Sequence, residues 1–255
     1  MIPVIRKVWP IALFLLFWEI VVHLFKVPTY ILPAPERVIM KLINVPGLLS
    51  KHALISGPEI IIGFTLAAIG GFLIAVAIVY SQRIEQALEP FLVVSQVILK
   101  VALAPLFLIW FGHGIEPKII IAATIAFFPV LVNTVLGLRS VDREILELMD
   151  SIAASKREIF LRVRLPNSLP YILPSLKVAA LLSVVGAMVG EFVGADKGLG
   201  YLMVVADVSL DTELLFAALF VVTVIGLVMY GAIGLVERRI ARRYGSTENQ
   251  QLVTM

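Results

Sequence analysis

Cysteine is absent from the 255-residue sequence, which excludes a disulfide framework and a metal site built from thiolates. Histidine is scarce, and the positions of His23, His52 and His113 do not have the spacing of metal ligands. The sequence also contains no Gly-x4-Gly-Lys-Ser/Thr loop, the usual cradle for nucleotide phosphates. We therefore expect no metal, no cofactor and no ATP hydrolysis in this chain.

Charged residues are also few. Only 15% of the residues are charged and 60% are hydrophobic, whereas a soluble domain has about 25% charged and 45–50% apolar residues. With a mean hydropathy of +1.01, the chain is predicted to be an all-α integral membrane protein. The isoelectric point near 9.2 comes from few charges, so we attribute it to membrane orientation and expect no nucleic-acid partner.

Six apolar runs have the length of a membrane-spanning helix. We predict spans at about residues 8–25, 60–80, 91–111, 119–138, 175–195 and 214–236. The chain then divides into a first span with an interfacial segment (1–56), a core of five spans (57–236) and a basic tail (237–255). Between the spans we expect an amphipathic helix within 26–56, a polar loop at 81–90 and a short surface helix near 199–206.

The distribution of Lys and Arg predicts the orientation. With the N-terminus inside, the inner segments hold 14 of the 21 basic residues and the outer segments hold six. Because an excess of basic residues marks the cytoplasmic side, we expect both termini and the loop 139–174 in the cytoplasm. The basic residues of the outer segment 26–56 run against this rule, and they are Lys26, Arg37, Lys41 and Lys51.

Small residues recur at every fourth position in two of the predicted spans. These residues are Gly63, Ala67 and Gly71 in the second span and Gly186, Gly190 and Gly194 in the fifth. Such faces let neighbouring helices approach closely, so we interpret both as packing surfaces.

Two charged residues, Lys100 and Glu191, lie inside or at the edge of predicted spans. A charge at the bilayer centre costs about 2.5–3.5 kcal/mol on insertion scales, so such residues usually face the bundle interior or water. One interpretation is a pair along a translocation path. The other is that Lys100 reaches the inner surface and Glu191 the outer surface through their side chains. Both interpretations stay open.

The charged segment between the fourth and fifth spans has the pattern of two helices with a bend. Its first part carries one apolar stripe at helical spacing, formed by Ile145, Leu148, Met149 and Ile152. In its second part, Ser155 and Glu158 have the spacing of a capping box. The apolar residues of the helix that follows are Ile159, Phe160 and Val163. We expect Leu165-Pro166 to end that helix, because a proline disfavours helical backbone in the residue before it.

This segment resembles the EAA loop of ABC importer permeases. Glu147, Ala153, Val163 and Leu165-Pro166 follow its spacing, which is Glu-Ala-Ala, three residues, Gly, nine residues, Ile, one residue and Leu-Pro. The departures from the pattern are Leu148 and Met149 for alanine, Ala153 for glycine and Val163 for isoleucine. The departure at Ala153 matters most, since glycine permits a backbone bend that alanine resists.

Three further strings resemble permeases for nitrate, taurine, sulfonates and vitamin precursors. They are residues 100–112 in the third span, 127–138 in the fourth and 190–201 at the end of the fifth. The string Gly-Ala-Asp-Lys-Gly-Leu-Gly-Tyr (194–201), with Leu-Asp-Thr at 210–212, is most similar to riboflavin or thiamine-precursor permeases.

The resemblance implies a type I ABC importer permease with six transmembrane helices and a cytoplasmic coupling helix. Such a chain would lie in a bacterial or archaeal inner membrane and form a dimer, which we expect to be a homodimer. It would bind two ATPase subunits on its inner face and receive a small solute from an external binding protein. The residues that the resemblance assigns to ATPase coupling are Glu147, Ala153, Ser155, Glu158, Ile159, Phe160, Val163, Leu165 and Pro166.

Two other classes compete with this interpretation. An ion-coupled secondary carrier would often show an internal repeat and a relay of intramembrane ionisable residues. Here we find no convincing repeat, and the candidates for a relay are Lys100 and Glu191 alone. An intramembrane enzyme would need a nucleophile–base pair or metal ligands at helical spacing, which the sequence does not offer.

Overall fold

The computed structural model describes residues 2–244, and all regular secondary structure in that range is helical. The α-helices are α1 Ile2–Leu24, α2 Pro35–Asn44, α3 Pro46–Tyr80, α4 Gln82–Val97, α5 Ala104–Phe111, α6 Glu116–Arg139, α7 Arg143–Ser151, α8 Lys156–Ile159, α9 Leu165–Gly194, α10 Leu199–Val208 and α11 Thr212–Tyr244. A 3-10 turn at Lys100–Leu103 and a π turn at Phe160–Arg164 join neighbouring helices. The end of the predicted basic tail, residues 245–255, lies outside the described residues.

Helix α6 lies between α3 and α9 and forms most of the buried contact of the bundle. A Cβ atom placed on Gly63 of α3 would meet the Cβ of Ala122 at 2.6 Å. One placed on Gly186 of α9 would meet the Ala122 Cα atom, also at 2.6 Å. Two helices therefore touch α6 at the same alanine, which requires glycine on both.

The other members of the two small-residue faces also lie in tight contacts. A Cβ on Gly71 would meet Val130 at 3.0 Å, and Ala67 is 1% exposed. On α9, a Cβ on Gly190 would meet the Lys118 Cα at 3.0 Å, and one on Gly194 would meet the Leu108 side chain at 2.6 Å. The two faces therefore pack within one chain.

Four helical segments are long and apolar enough to cross a membrane: Pro46–Tyr80, Glu116–Arg139, Lys156–Gly194 and Thr212–Ile240. They contain the second, fourth, fifth and sixth predicted spans. The first and third predicted spans contain shorter apolar helices, Ala12–Leu24 and Lys100–Phe111.

The predicted third span, residues 91–111, is wrong as a single helix. Helix α4 ends at Val97, the 3-10 turn follows, and α5 begins at Ala104. Pro105 stands at the start of α5. Its ring conflicts with the carbonyl four residues earlier in a continuous α-helix, and it has no amide hydrogen to donate. The chain therefore interrupts the helix just before this proline.

The predicted polar loop at 81–90 is also wrong, because these residues form the first half of α4. The Ser81 hydroxyl accepts the Ile84 amide at 3.4 Å and caps the helix. Leu88 packs against a buried cluster that contains Ala75 and Leu131. A cap and one apolar contact face are sufficient to order a segment whose average composition is polar.

Helix α3 begins at Pro46, well before residue 60, and it crosses the predicted division at residues 56 and 57. The amphipathic helix expected within 26–56 is α2. Its Val38 packs with Leu49 of α3 and with Ala217 and Ala218 of α11. The short helix expected near 199–206 is α10, but Leu199, Leu202 and Ala206 are buried, so it packs on the bundle.

Leu165-Pro166 does not end the second helix of the charged segment, which corrects the prediction. Helical backbone continues from Lys156 to Gly194. Before the proline the helix widens into the π turn, in which the Leu165 amide donates to the Phe160 carbonyl five residues earlier. Such turns relax the helical ladder locally. Pro166, the second residue of α9, follows directly after this widened turn.

Candidate functional site

Helix α7 of the charged segment ends in a Schellman motif. The Ala153 amide donates to the Asp150 carbonyl at 2.9 Å, and the Ala154 amide donates to the Met149 carbonyl at 3.0 Å. Ala153 has a φ of +54°, the left-handed conformation that glycine adopts without strain. The bend is therefore made with alanine at a cost of about 1–2 kcal/mol.

The capping box at the start of α8 is confirmed. The Ser155 hydroxyl accepts the Glu158 amide at 3.3 Å, and the Glu158 carboxylate accepts the Ser155 amide at 2.9 Å. Two amides that would otherwise lack partners are thereby satisfied within four residues. The cap fixes where the long helical rod from Lys156 to Gly194 begins.

The charged segment is fastened to the ends of α3 and α6. The Arg164 guanidinium donates to the Leu138 carbonyl at 2.9 Å and lies 5.9 Å from the centre of the Tyr80 ring. The Phe160 ring meets the Tyr80 ring edge to face, with centroids 5.9 Å apart. Displacement of this segment would therefore move the adjoining ends of these two helices.

The most exposed apolar side chains of this segment lie at the end of α7. Leu148 is 62% exposed and Ile152 is 66% exposed. Ile159, Phe160 and Val163 are half-buried, so part of their surface already faces the chain itself. Leu148 and Ile152 are therefore more exposed than Phe160, and they form the main exposed apolar surface of this segment.

Glu147 is exposed and pairs with a neighbour on its own helix. The Arg143 guanidinium donates to its carboxylate at 2.8 Å, one helical turn away. Such exposed pairs contribute only about 0.3–0.5 kcal/mol, so both side chains are free to change partners.

Lys100 lies in the 3-10 turn where the third predicted span is interrupted. Its ammonium lies 4.1 Å from the centre of the Phe128 ring on α6, a cation–π contact. The side chain is half-buried. Among the ion pairs of residues 2–244, none contains Lys100.

The proposed pairing of Lys100 with Glu191 is wrong. Glu191 follows Gly190, which packs against Lys118 at the start of α6. Lys100 instead lies beside Phe128. Ten residues of helix separate those two positions on α6, a distance of about 15 Å.

Glu191 is enclosed by protein and both of its carboxylate oxygens accept hydrogen bonds. The side chain is 1% exposed. The Ser56 hydroxyl donates to Oε1 at 2.6 Å, and the Gly200 amide donates to Oε2 at 2.5 Å. Gly200 lies in the first turn of α10, where the helix dipole favours a negative charge. Glu191 thus joins α9 to α10 directly and to α3 through Ser56.

The loop before α10 is shaped around this carboxylate. Gly198 has a φ of +118°, and a Cβ atom there would overlap the Glu191 carboxyl group. The Leu199 amide donates to the Ser56 hydroxyl at 2.8 Å. His52 Nδ1 lies 2.9 Å from the Gly198 carbonyl oxygen and 3.0 Å from its amide nitrogen, so the ring tautomer decides which bond forms.

A buried ion pair lies next to Glu191. Lys118 of α6 donates to Glu59 Oε1 of α3 at 3.1 Å, and the two side chains are 7% and 1% exposed. We call the group His52, Ser56, Glu59, Lys118 and Glu191 the polar lock. It connects α3, α6, α9 and α10 through charged and polar side chains at one end of the bundle.

Sequence reasoning missed most of the polar lock. Lys118 lies just before the predicted fourth span, and the sequence reasoning did not single out Glu59, Ser56 or the buried position of His52. The available signal was Glu59 itself, an acidic residue within the apolar helix Pro46–Tyr80. Its partner lies 59 residues further along the chain, beyond the reach of local patterns.

One group of possible metal ligands exists among the residues that the structure describes. Donor atoms of Glu19, His23 and Glu36 lie within 4.8 Å of one another. His23 and Glu36 are exposed, and His23 Nδ1 already bonds to the Glu19 carbonyl at 3.1 Å. We assign no metal to this exposed group.

Most of the chain is similar to known proteins. The family "Binding-protein-dependent transport system inner membrane component" matches residues 60–242. The riboflavin transport system permease protein RibX of Chloroflexus aurantiacus is 38% identical over 246 residues, covering 93% of this chain and 92% of RibX. The formylaminopyrimidine transport permease protein ThiX of Halalkalibacterium halodurans is 36% identical over 220 residues, covering 86% of this chain and 88% of ThiX.

The fold is similar to that of a solved membrane transporter. A chain of the MetNI methionine ABC transporter, in an inward-facing conformation, superposes with a TM-score of 0.68 and 14% sequence identity. The match covers 77% of this chain and 98% of that chain. At this identity the likeness shows the fold alone.

Proposed function

The chain belongs to the family of inner-membrane components of binding-protein-dependent transport systems, and from this premise we propose that it forms the membrane pathway of an ATP-driven importer. In this proposal an external binding protein delivers a small solute, and two separate ATPase subunits drive its passage. The observation that carries the proposal is the charged segment 142–174. It combines a capped helix start, an exposed apolar stripe and direct contacts with the ends of two long helices.

The coupling step follows from how this segment is attached. The exposed Leu148 and Ile152 would dock on an ATPase subunit, and Glu147 would exchange its Arg143 pair for a partner there. Docking forces would reach α6 through the bond from Arg164 to the Leu138 carbonyl. They would reach α9 along the continuous helical backbone that starts at Lys156. A continuous helix therefore replaces the helix end at Leu165-Pro166 that the sequence suggested.

In this proposal the remaining residues assigned to coupling hold the charged segment in position. Ala153 sets the bend, Ser155 and Glu158 fix the start of α8, and Ile159, Phe160 and Val163 hold the rod against the bundle. Phe160 does so through its edge-to-face contact with Tyr80. Leu165 and Pro166 continue the rod by way of the π turn.

The proposed topology has six spans with both termini in the cytoplasm. Four long apolar helices supply four of these spans. Helix α1 supplies the first, and α4 and α5 together supply an interrupted third. Basic residues are concentrated in the segments that this topology places inside, which supports the orientation. A second, identical copy of the chain would complete the pathway.

The proposed cargo is a vitamin or a vitamin precursor. RibX and ThiX, whose names specify riboflavin and formylaminopyrimidine, are 38% and 36% identical to this chain. The taurine permease protein TauC of Escherichia coli is 26% identical. The higher identity to RibX and ThiX favours a planar nitrogen heterocycle over nitrate, taurine or a sulfonate as cargo.

Lys100 is the residue that we retain for the translocation path. It lies in the 3-10 turn between α4 and α5, and its side chain is half-buried. None of the ion pairs among the described residues gives it a carboxylate partner. Glu191 is not retained for the path, because its oxygens are occupied and its side chain is 1% exposed.

Uptake in proteoliposomes tests the proposed function. The chain is reconstituted with its ATPase subunits and binding protein, and labelled riboflavin or aminopyrimidine is supplied outside. We expect accumulation that requires ATP inside and continues after the proton gradient is collapsed. Accumulation that needs the gradient and no ATPase would instead support an ion-coupled secondary carrier.

A further inference from the structure

The polar lock contains more acidic groups than basic ones. Lys118 contributes one positive charge, whereas Glu59 and Glu191 are both carboxyl groups buried to 1% exposure. If both carboxyls were ionised, Glu59, Lys118 and Glu191 together would carry a net negative charge away from water. An uncompensated buried charge is strongly unfavourable, and proteins usually avoid it by neutralising one group.

The hydrogen bonds that Glu59 and Glu191 accept indicate which of the two carboxyl groups is neutral. Glu191 accepts one bond at each oxygen and caps the positive end of α10, and both features favour its ionised form. Glu59 accepts from Lys118 at Oε1. Its Oε2 atom is buried and has no donor among the residues that the structure describes.

Glu191 lies beside Glu59, because Ser56, one helical turn before Glu59 on α3, donates to Glu191 Oε1 at 2.6 Å. An ionised carboxylate only accepts hydrogen bonds, so Glu191 cannot satisfy an unprotonated Glu59. Of the other titratable groups around the lock, His52 bonds to the Gly198 backbone and Tyr201 stacks on His52 at 6.2 Å. Neither supplies a donor to Oε2.

We propose that Glu59 is a proton-binding site, with the proton on Oε2 donated in a hydrogen bond to Glu191. The proton comes from water, and no other bond forms or breaks. Lys118 then donates to Glu59, Glu59 donates to Glu191, and Ser56 and Gly200 complete the shell of Glu191. One positive and one negative charge remain, so Glu59, Lys118 and Glu191 together are neutral.

This bound proton would act within the fold and would not be a coupling ion. A neutral lock holds α3, α9 and α10 together without leaving a net charge inside the bundle. Removal of the proton would place two carboxylates side by side and force them apart. The proposal stands independently of the cargo and of the ATPase partners.

Infrared spectroscopy of the full chain in lipid nanodiscs tests the proton directly. At neutral pH we expect the carbonyl stretch of a protonated carboxylic acid, and we expect Glu59→Gln to abolish it. Glu85→Gln is the matched control, because Glu85 forms a partly exposed ion pair with Arg139 at 2.8 Å and should leave the band unchanged. Absence of the band from the wild-type chain, or its survival in Glu59→Gln, would overturn the proposal.

Thermal unfolding provides a second readout. A glutamine amide can accept from Lys118 and donate to Glu191, so Glu59→Gln should unfold within about 2 °C of the wild-type chain. If Glu59 were ionised, the same change would remove half of a buried ion pair. The unfolding midpoint would then fall by about 6 °C or more, which would contradict the proposal.

Discussion

Lys41 of α2 and Asp211, which precedes α11, form an ion pair of 2.7 Å with side chains that are 24% and 32% exposed. The other oxygen of Asp211 accepts the Leu214 amide at 3.0 Å, so the same carboxylate caps α11. Arg37 lies 3.7 Å from Glu213 beside this pair. Two basic residues that conflict with the charge rule for outer segments are therefore neutralised by acids of another segment.

This arrangement predicts unequal effects of removing the two partners. Lys41→Met keeps the apolar stem and loses a partly exposed ion pair, which contributes about 0.2–1 kcal/mol. Asp211→Ala also loses the cap, which contributes about 1 kcal/mol more. We expect thermal unfolding midpoints lowered by about 1–3 °C and about 3–6 °C, respectively. Asp211→Asn keeps a capping oxygen, so its unfolding midpoint should lie between those of Lys41→Met and Asp211→Ala. Equal losses for Lys41→Met and Asp211→Ala would contradict the double role of Asp211.

Ala153→Gly should stabilise the chain. The substitution removes about 1–2 kcal/mol of left-handed strain at φ +54°. It also adds freedom to the unfolded chain, which costs about 0.4–1 kcal/mol. The net gain of about 0.5–1 kcal/mol should raise the unfolding midpoint by about 1–4 °C.

Ala154→Gly is the control for this prediction, because Ala154 has no positive φ and gains nothing from glycine. It should leave the midpoint unchanged or lower it. If both glycine variants shifted the midpoint equally, strain at Ala153 would not be the cause.

The features that sequence reasoning predicted correctly are those whose partners are close in sequence. The capping box joins Ser155 and Glu158, which are three residues apart, and its physics is entirely local. The small-residue face of Gly63 and Gly71 is likewise visible in one helix, although its partner helix is not. Local patterns therefore predicted the long apolar helices and the start of α8.

The features that sequence reasoning missed depend on partners far apart in the sequence, or on a local change of helix geometry that accommodates a proline. Glu59 and Lys118 are paired across two helices, and neither position reveals the other. Pro166 indicated a helix end by a sound local rule. The π turn before it relieves that conflict, and no residue pattern in the sequence marks the turn. Ser81 could have revealed the start of α4, but the polar composition that follows suggested a loop.

Charge placed on the exposed stripe of α7 should uncouple transport without unfolding the chain. Leu148→Asp and Ile152→Asp change side chains that are 62% and 66% exposed, so the unfolding midpoint should stay within about 2 °C of wild type. ATP-driven uptake in proteoliposomes should be abolished, because the docking surface is lost. Glu147→Arg should also abolish uptake while the chain still inserts.

Phe160→Asp distinguishes docking from support within the same segment. Its ring packs on Tyr80, so this variant should lose uptake and also lower the unfolding midpoint. Wild-type uptake by Glu147→Arg or Phe160→Asp would show that the charged segment is not the coupling element.

Gly198→Ala should destabilise the chain by more than backbone strain alone explains, because it should also disrupt the polar lock. Gly198 and Gly112 both have positive φ values, +118° and +78°, so alanine is strained by about 1–2 kcal/mol at either position. At Gly112 no atom lies within 4 Å of the added Cβ, whereas at Gly198 the Cβ overlaps the Glu191 carboxyl group. That overlap would displace Glu191 and leave the Gly200 amide without its acceptor. We expect thermal unfolding midpoints lowered by about 2–6 °C for Gly112→Ala and by clearly more for Gly198→Ala. If the two losses were equal, the loop before α10 would not depend on its contact with Glu191, and the lock would be a consequence of helix packing.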